Sequence, residues 1–416
     1  MSLLADKSAC LIGLPEYWDH VNALPVRTIF HSSVLDFLDD LSRSILSDIE
    51  AHKYPDVVAF AIWCRRSALT KQQAQYADGS IYLGRGLAFH VSPANVPIMF
   101  AYTLAIGLLA GNANIVRLPS RVFPQVDYLC GRIVALLTLR AHIALANHVI
   151  CVRYDREAFD VTRFLSELCD VRVIWGGDSS VRQIREAPLR PGAFDVVFPN
   201  RYSIAVIQSE AWLNCADKKR HIRDFYNDTY LSDHASCSSP RLVLWVGERI
   251  EVARVSFWSL LEELVAERYE PVPAKAVSNL EVSYSIAARY SNATLCSKNS
   301  LVTRVWCDDI DADVLERDFA GGVFLETGAP TLDALARFLR RGCQTISYFG
   351  VSVDRLTTLL CETGARGGDR VVPMGRTLDF SLTWDGYDTI RTLSRKLDVI
   401  MAPGTTGEES RGELAR

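Results

Sequence analysis

Cys237 is the first residue of this chain to suggest chemistry. It lies in NDTYLSDHASCSSPRLVLWV, residues 227–246, among small polar side chains and just before Pro240 and a strongly apolar strand. A thiol in such a loop meets several backbone N–H groups, which lower its pKa and can hold an oxyanion. A structural loop cysteine is the competing reading, because inert buried cysteines are common. A second candidate is Asn95, in HVSPANVPIMF at 90–100. Its side chain caps the following helix or donates to a developing oxyanion, and the two roles compete for one amide. A third is IVRLPSR at 115–121, a strand ending in Arg117, Ser120 and Arg121. Guanidinium groups there suit a ribose or phosphate, since arginine contacts phosphate with two parallel N–H bonds; a solvated loop is the alternative. A fourth is IWGGDSSVRQI at 174–184, where Gly176, Gly177 and Ser179 form a strand-to-helix turn. Such a turn places a diphosphate at a helix N-terminus, although the spacing is not G-x-G-x-x-G.

These residues need a scaffold, and the apolar pattern supplies one. Val34, Leu38, Leu41, Ile45 and Ile49 recur at spacings of three and four, predicting a helix over 32–52 capped by Ser32 or Ser33. Strands are expected at 80–92, 114–118, 146–153 and 171–175, with helices at 97–110, 123–139, 157–168 and 179–185 between and after them. This alternation implies βαβ units and a parallel sheet. Ligands on such sheets sit at the carboxyl ends of the strands, so the loops 91–97, 119–124 and 176–180 are the places to look. A second αβ block follows, with strands near 242–246 and 322–326 and helices around 256–267 and 332–340.

Composition bounds the function. The chain has 416 residues, 49% of them hydrophobic, which is ample for real cores. The net charge of -4 argues against a general nucleic-acid binder. The start shows no cationic segment followed by a long apolar run, so no signal peptide is expected. The longest nearly apolar run, 96–110, is too short for a bilayer, which takes roughly 20 residues. Eleven cysteines cannot all pair and none forms C-x-x-C, which predicts a reducing cytoplasm and no metal site.

Taken in order, SPANVPIMF, LLAGNANIVRLPSR, VIWGGDSSVRQI and ASCSSP resemble the aldehyde dehydrogenase superfamily. NDTYLSDHASCSSPRLV and RGGDRVVPMGRTLDFSLTWDGYDTI, residues 366–390, are similar to LuxC-type acyl-CoA reductases, and the resemblance runs from about 80 to 397. It implies an α/β, aldehyde-dehydrogenase-like fold with a Rossmann-type cofactor domain and an αβ catalytic domain. The expected division is 1–210 for the cofactor domain, with a helical part at 1–75, then 211–365 for the thiol-bearing domain. Residues 366–402 complete the fold and 403–416 form a disordered tail.

The resemblance makes Cys237 the acyl-accepting nucleophile and Asn95 an oxyanion donor beside the Cys237 N–H. Gly177 matches the cofactor-loop glycine, whereas the second glycine of that turn falls at Arg182. The ribose-binding residue falls at Arg117 or Leu118, of which Arg117 is the chemically sensible one. Arg121 stands where NAD-preferring relatives often carry an acid, which favours NADPH. Hydrolytic aldehyde dehydrogenases use a glutamate to activate water. Residues 187–209 contain no Glu, and Phe198 or Pro199 falls about where that acid would be. An acyl-enzyme that must survive until hydride arrives has no use for such a base.

The expected reaction is NADPH-dependent reduction of an acyl-CoA or acyl-protein thioester to an aldehyde. Two other readings keep the fold: an acyl carrier without hydride transfer, and a non-catalytic scaffold. The resemblance also implies an acyl-activating synthetase as partner, and homo-oligomers are usual in the superfamily. His234 and Asp233, close before Cys237, read as solvated or structural, with tuning of the thiolate as the alternative. So do Asp369, Arg370, Trp384, Asp385 and Tyr387, with an acyl tunnel lined by Trp384 as the alternative. Cys343 and Cys361 lack any motif and read as structural too.

Overall fold

The computed structural model describes residues 8–13, 20–93, 96–270, 273–297, 301–317 and 321–400. The candidate Asn95 and the tail from 403 lie outside these described residues. The chain forms two compact units, residues 1–199 with 387–416 and residues 200–386.

The strands of the first unit are β1 (Ser8–Ile12), β2 (Tyr82–Gly84), β3 (Leu87–Val91), β4 (Ala113–Arg117), β5 (Val149–Tyr154), β6 (Val171–Trp175) and β7 (Phe194–Phe198). Six of them form one sheet in the order β1-β5-β4-β3-β6-β7. All neighbours run parallel except β1, which is antiparallel to β5. Chain order therefore reverses at β3, which pairs with β4 on one side and β6 on the other. This is a doubly wound sheet, and its switch point opens a crevice at the carboxyl ends of β3 and β6. LAFHV of β3 and VRVIW of β6 are buried at every position, as strands covered on both faces must be. The helix Met99–Leu109 is apolar all round and nearly all buried. β2 pairs with the returning strand Ser394–Lys396.

Two details of the N-terminal helix differ from the sequence pattern. It spans Ser32–Leu46, and the ring of His31 accepts from the Ser33 N–H, so the cap is His31 and neither serine. The chain then tightens into a 3₁₀ turn, Ile49–Lys53, capped by Asp48. Ile49 thereby leaves the apolar stripe and is 86% exposed.

Arg172 ties the first unit together near the amino end of β6. It stands on β6, fully buried, and grips Asp195 of β7 through two bonds of 2.7 and 3.1 Å. Its Nη1 also donates to Ser166 Oγ at 2.8 Å, Ile184 O at 3.1 Å and Ala187 O at 2.9 Å. Those acceptors lie on or just beyond the helices Phe159–Leu168 and Asp178–Arg185. One guanidinium thus ties two strands to two helices, with its charge paired and its donors used.

The second unit holds β8 (Tyr202–Gln208), β9 (Pro240–Val246), β10 (Thr294–Ser297), β11 (Thr303–Trp306), β12 (Val323–Ala329), β13 (Cys343–Phe349) and β14 (Arg370–Pro373). The sheet order is β10-β11-β12-β9-β8-β13-β14, parallel apart from β10 against β11. Ile204, Val206, Leu242 and Leu244 feed one core, and Ala205, Ile207, Val243 and Trp245 the core on the opposite face. That alternation is the period of two expected of strands buried on both sides. β8 hydrogen-bonds between β9 and β13, so the division of the chain falls before it, whereas the sequence reading put residues 202–208 in the first domain. The segment 366–402 is likewise shared, 366–386 in the second unit and the rest in the first.

Replacing Arg172 with Leu should destabilise the protein by roughly 3 kcal/mol, the low end for a broken buried pair because Arg185 still faces Asp195. Urea unfolding followed by circular dichroism measures it, and a loss below about 0.5 kcal/mol, the ordinary surface range, contradicts this account of the first unit.

Candidate active site

A cleft of about 280 Å³ lies at the carboxyl ends of the first sheet. Ser92 and Pro93 follow β3, Leu118 and Ser120 follow β4, Arg156 follows β5, and Gly176 and Gly177 follow β6; all line it. Arg117 lines it too, its guanidinium 4.5 Å over the Tyr154 ring and donating to Tyr154 O at 3.4 Å. Arg156 donates through Nε to Gln183 Oε1 at 2.8 Å. None of the described lining residues is acidic.

The glycine turn leaves room rather than making a strained bend. A Cβ at Gly177 would meet nothing within 4 Å, and one at Gly176 only Ser180 Cβ at 3.5 Å. Gly177 is the N-cap of Asp178–Arg185, so the free N–H groups of that helix open beside this space. Ser180, Gln183 and Ile184 face the cleft at spacings of three and four, while Ser179 falls on the exposed side of the helix. Arg121 is exposed, its guanidinium 5.1 Å over the ring of Phe123, and does not line the cleft.

The wall of the cleft is fixed from beneath. Trp175 Nε1 donates to Thr103 Oγ1 at 3.1 Å, and Thr103 bonds His90 Nδ1 at 2.7 Å. His90 Nε2 lies 3.0 Å from Asn114 Oδ1, whose own amide donates to Asn112 O. Burial holds the His90 pKa down to about 4, so the ring is neutral and relays these bonds in one direction. Phe198 stacks on Trp175 at 3.8 Å and 12°, with Tyr387 edge-on to it at 5.6 Å. An aromatic ring, not a carboxylate, occupies the end of β7.

The second unit carries the thiol, at the amino end of a strand. The parallel register pairs Ser203 with Pro240, and Asn200 and Cys237 each stand three residues earlier. Cys237 Sγ lies 3.8 Å from Asn200 Oδ1. Arg241 Nη2 approaches the same oxygen at 3.5 Å, while its Nη1 donates to Leu315 O at 2.8 Å and Arg317 O at 2.6 Å. Ser203 Oγ donates to Cys237 O at 2.7 Å and accepts from Thr345 N–H at 3.2 Å.

The loop before the thiol turns through two residues with positive φ, Asp233 at 54° and His234 at 56°. Such residues are uncommon unless their surroundings hold them. Tyr269 Oη donates to Asp233 Oδ1 at 3.2 Å. His234 is fully buried, stacks on Phe324 at 4.5 Å and donates from Nε2 to Pro240 O at 2.8 Å. Burial, with help from the Arg241 charge, lowers its pKa to about 4. It is a neutral brace between the turn and β9.

All eleven cysteines are free thiols, and Cys237 is half-buried. Burial pushes Cys130, Cys169 and Cys343 up to about 12 and Cys307 to about 11, and raises Cys64 and Cys151 well above the ordinary thiol value. Thiols so raised are poor nucleophiles.

The segment 369–385 forms a corner under the residue next to Asn200. Arg201 pairs with Asp369 at 2.6 Å, lies 3.6 Å from Asp385, and donates to Arg341 O and Cys343 O. Burial raises Asp385 to about 6, and Gln344 Nε2 donates to it at 2.6 Å. Arg370 caps the carbonyls of Thr377 and Asp379 and sits 4.7 Å over Trp384.

Among the described residues no group of three or more His, Cys, Asp or Glu could hold a metal, and no helix is long and apolar enough to cross a membrane.

A sequence model of LuxC, acyl-CoA reductase, matches residues 55–396. The chain belongs to the LuxC acyl-CoA reductase family. As a LuxC-family protein it is an oxidoreductase that reduces acyl groups to aldehydes. Solved structures agree on the fold. Aldehyde dehydrogenase 21 from Physcomitrella patens, in complex with succinate, superposes with a TM-score of 0.68 at 11% identity, covering 93% of this chain and 89% of that one. Methylmalonate-semialdehyde dehydrogenase from Oceanimonas doudoroffii gives 0.64 at 12%, covering 88% and 84%. An NAD-dependent benzaldehyde dehydrogenase from Corynebacterium glutamicum gives 0.61 at 13%, covering 95% and 88%. No curated protein sequence matches the chain.

Asn200, Ser203 and Arg241 escaped the sequence reading, as did Arg156 and Gln183. The polar pair Asn200-Arg201 directly before the apolar run YSIAVI was the available signal, but its partner across the sheet is visible only once β8 and β9 pair.

His234 binds its proton less readily folded than unfolded, so the stability it supports is whole above pH 6.5 and is lost as pH falls toward about 4. His234→Gln should flatten the acid limb of the stability curve by up to about 1.4 kcal/mol per pH unit in that window. Urea titrations of both proteins at several pH values test this; parallel curves contradict the buried neutral ring.

Proposed function

We propose that this chain reduces an acyl thioester, with acyl-CoA as donor and NADPH as reductant, through an S-acyl intermediate on Cys237. The observation that carries this reading is the half-exposed thiol of Cys237 before the amino end of β9, on a residue whose backbone carbonyl accepts from Ser203, in a chain with no glutamate in 187–209. The Cys237 sulfur attacks the thioester carbonyl, with the Cys237 N–H and Asn95 in the oxyanion role that the family resemblance gives them. The carbon–sulfur bond to CoA breaks, and the cysteine's proton ends on the departing CoA thiol. The bound dinucleotide supplies the hydride. Hydride addition leaves a tetrahedral alkoxide on Cys237, which collapses to the aldehyde as the carbon–sulfur bond breaks, and the departing thiolate regains its proton from solvent. With Phe198 in place of a general base, water is a poor competitor for the acyl group.

The cleft of the first unit suits a dinucleotide. Gly176 and Gly177 leave space for a diphosphate before a helix N-terminus, and Val91, Phe159 and Ile184 offer apolar surface to a purine. Two guanidiniums and no lining carboxylate favour a cofactor with an extra phosphate, which supports NADPH over NADH. Arg121, outside the cleft lining, adds positive charge near its rim. An acyl-activating synthetase is the partner class that would deliver the thioester.

Cys237→Ala should abolish both radiolabelled acyl attachment and NADPH oxidation with acyl-CoA; label retained at the wild-type level overturns the assignment. Acyl attachment without oxidation in the wild type would instead support an acyl carrier, and loss of both acylation and cofactor binding a scaffold. Arg156→Glu should raise the KM for NADPH by at least about tenfold, the worth of one charge-assisted phosphate contact, with little change for NADH. Equal effects on the two cofactors would contradict a phosphate-reading cleft.

A further inference from the structure

We propose that Asn200 is a positioning residue for the Cys237 thiol: its carboxamide oxygen accepts the S–H and holds the sulfur protonated and oriented until a thioester displaces it. The proposal rests on Cys237 being the nucleophile. Three observations carry it. Asn200 Oδ1 lies 3.8 Å from Cys237 Sγ, within reach for a sulfur donor. The same oxygen is 3.5 Å from Arg241 Nη2, and a guanidinium can only donate, so the amide is turned with its oxygen toward both groups. Finally, the backbone at this point has little freedom. Arg201, the next residue, is clamped by Asp369 and two carbonyls, and Ser203 joins Thr345 to Cys237.

A hydrogen bond given by the neutral thiol favours the neutral form. Asn200 therefore restrains ionisation, while the buried Arg241 beyond it favours the thiolate. His234 is neutral and bonded to Pro240 O, Asp233 accepts from Tyr269, and Arg201 faces Asp369 and Asp385. An amide suits this position because it neither takes the proton nor repels the sulfur once the proton has gone. A carboxylate there would do both.

The test is the pH dependence of Cys237 alkylation by iodoacetamide, followed by peptide mass spectrometry so that the other ten cysteines do not interfere. Asn200→Asp should move the midpoint up by about one pH unit and slow acyl transfer from acyl-CoA about tenfold near neutral pH, as a new charge beside the thiol requires. Asn200→Ala should move the midpoint down. A purely structural role would change both variants' stability without shifting the midpoints in opposite directions. Unchanged midpoints, or shifts of the same sign, overturn the proposal. If Asn200→Ala fails to fold, the isosteric Asp variant decides by itself: an upward shift supports, no shift or a downward one refutes. Cys237→Ala, run alongside for acyl labelling, reports separately on the nucleophile, since label surviving in it defeats that reading whatever Asn200 does.

Discussion

The hydroxyl of Ser203 is the bond on which the thiol's position depends. It receives the Thr345 N–H of β13 and gives its proton to the carbonyl of Cys237, so the loop before β9 is fastened to two strands at once. Ser203 and Thr345 are fully buried, where an unmade hydrogen bond costs about 1–3 kcal/mol. The loop is therefore not at liberty to drift. Asn200 and Cys237 each stand three residues before the first paired positions of β8 and β9, Ser203 and Pro240, and meet in the loops leading into the two strands. His234 closes the other side through the Pro240 carbonyl.

The two units obey different rules for placing chemistry. In the first, the cleft lies where the winding order of a parallel sheet reverses, at the carboxyl ends of β3 and β6. Arg172, near the amino end of β6, binds the helices Phe159–Leu168 and Asp178–Arg185 to the strands beneath. In the second, Cys237, the proposed nucleophile, precedes its strand. What matters there is chemistry that must not happen too early. The buried thiols are raised by desolvation, whereas Cys237 is half-buried beside Asn200, whose side-chain oxygen also faces Arg241. An aromatic stack, Trp175 on Phe198, closes the carboxyl ends of β6 and β7.

The sequence carried the αβ alternation, the apolar helix at 99–109 and the order of the four motifs, because each is a local signal read from a few consecutive residues. Ile49 misled because the helical period continued in the pattern after the helix had ended at Leu46. Arg121 and Ser179 adjoin residues that line the cleft, but the rotation of a helix and the course of a loop turn Ser180, Gln183 and Arg156 toward it instead. Asn200, Ser203 and Arg241 were beyond local reading. Their meaning comes from strands 35 or more residues apart lying in register, and nothing in the intervening residues announces that pairing.

The account stands or falls on one species, an acyl group carried by Cys237 and consumed by hydride. The direct measurement is a single-turnover experiment: load the protein with acyl-CoA without cofactor, remove unbound thioester, add NADPH, and quantify adduct and aldehyde by mass spectrometry. The account predicts an adduct on the Cys237 peptide that persists in buffer, then disappears with one aldehyde formed and one NADPH oxidised for each acyl group lost. Release of free carboxylic acid in place of aldehyde, or an adduct on another cysteine, would contradict it.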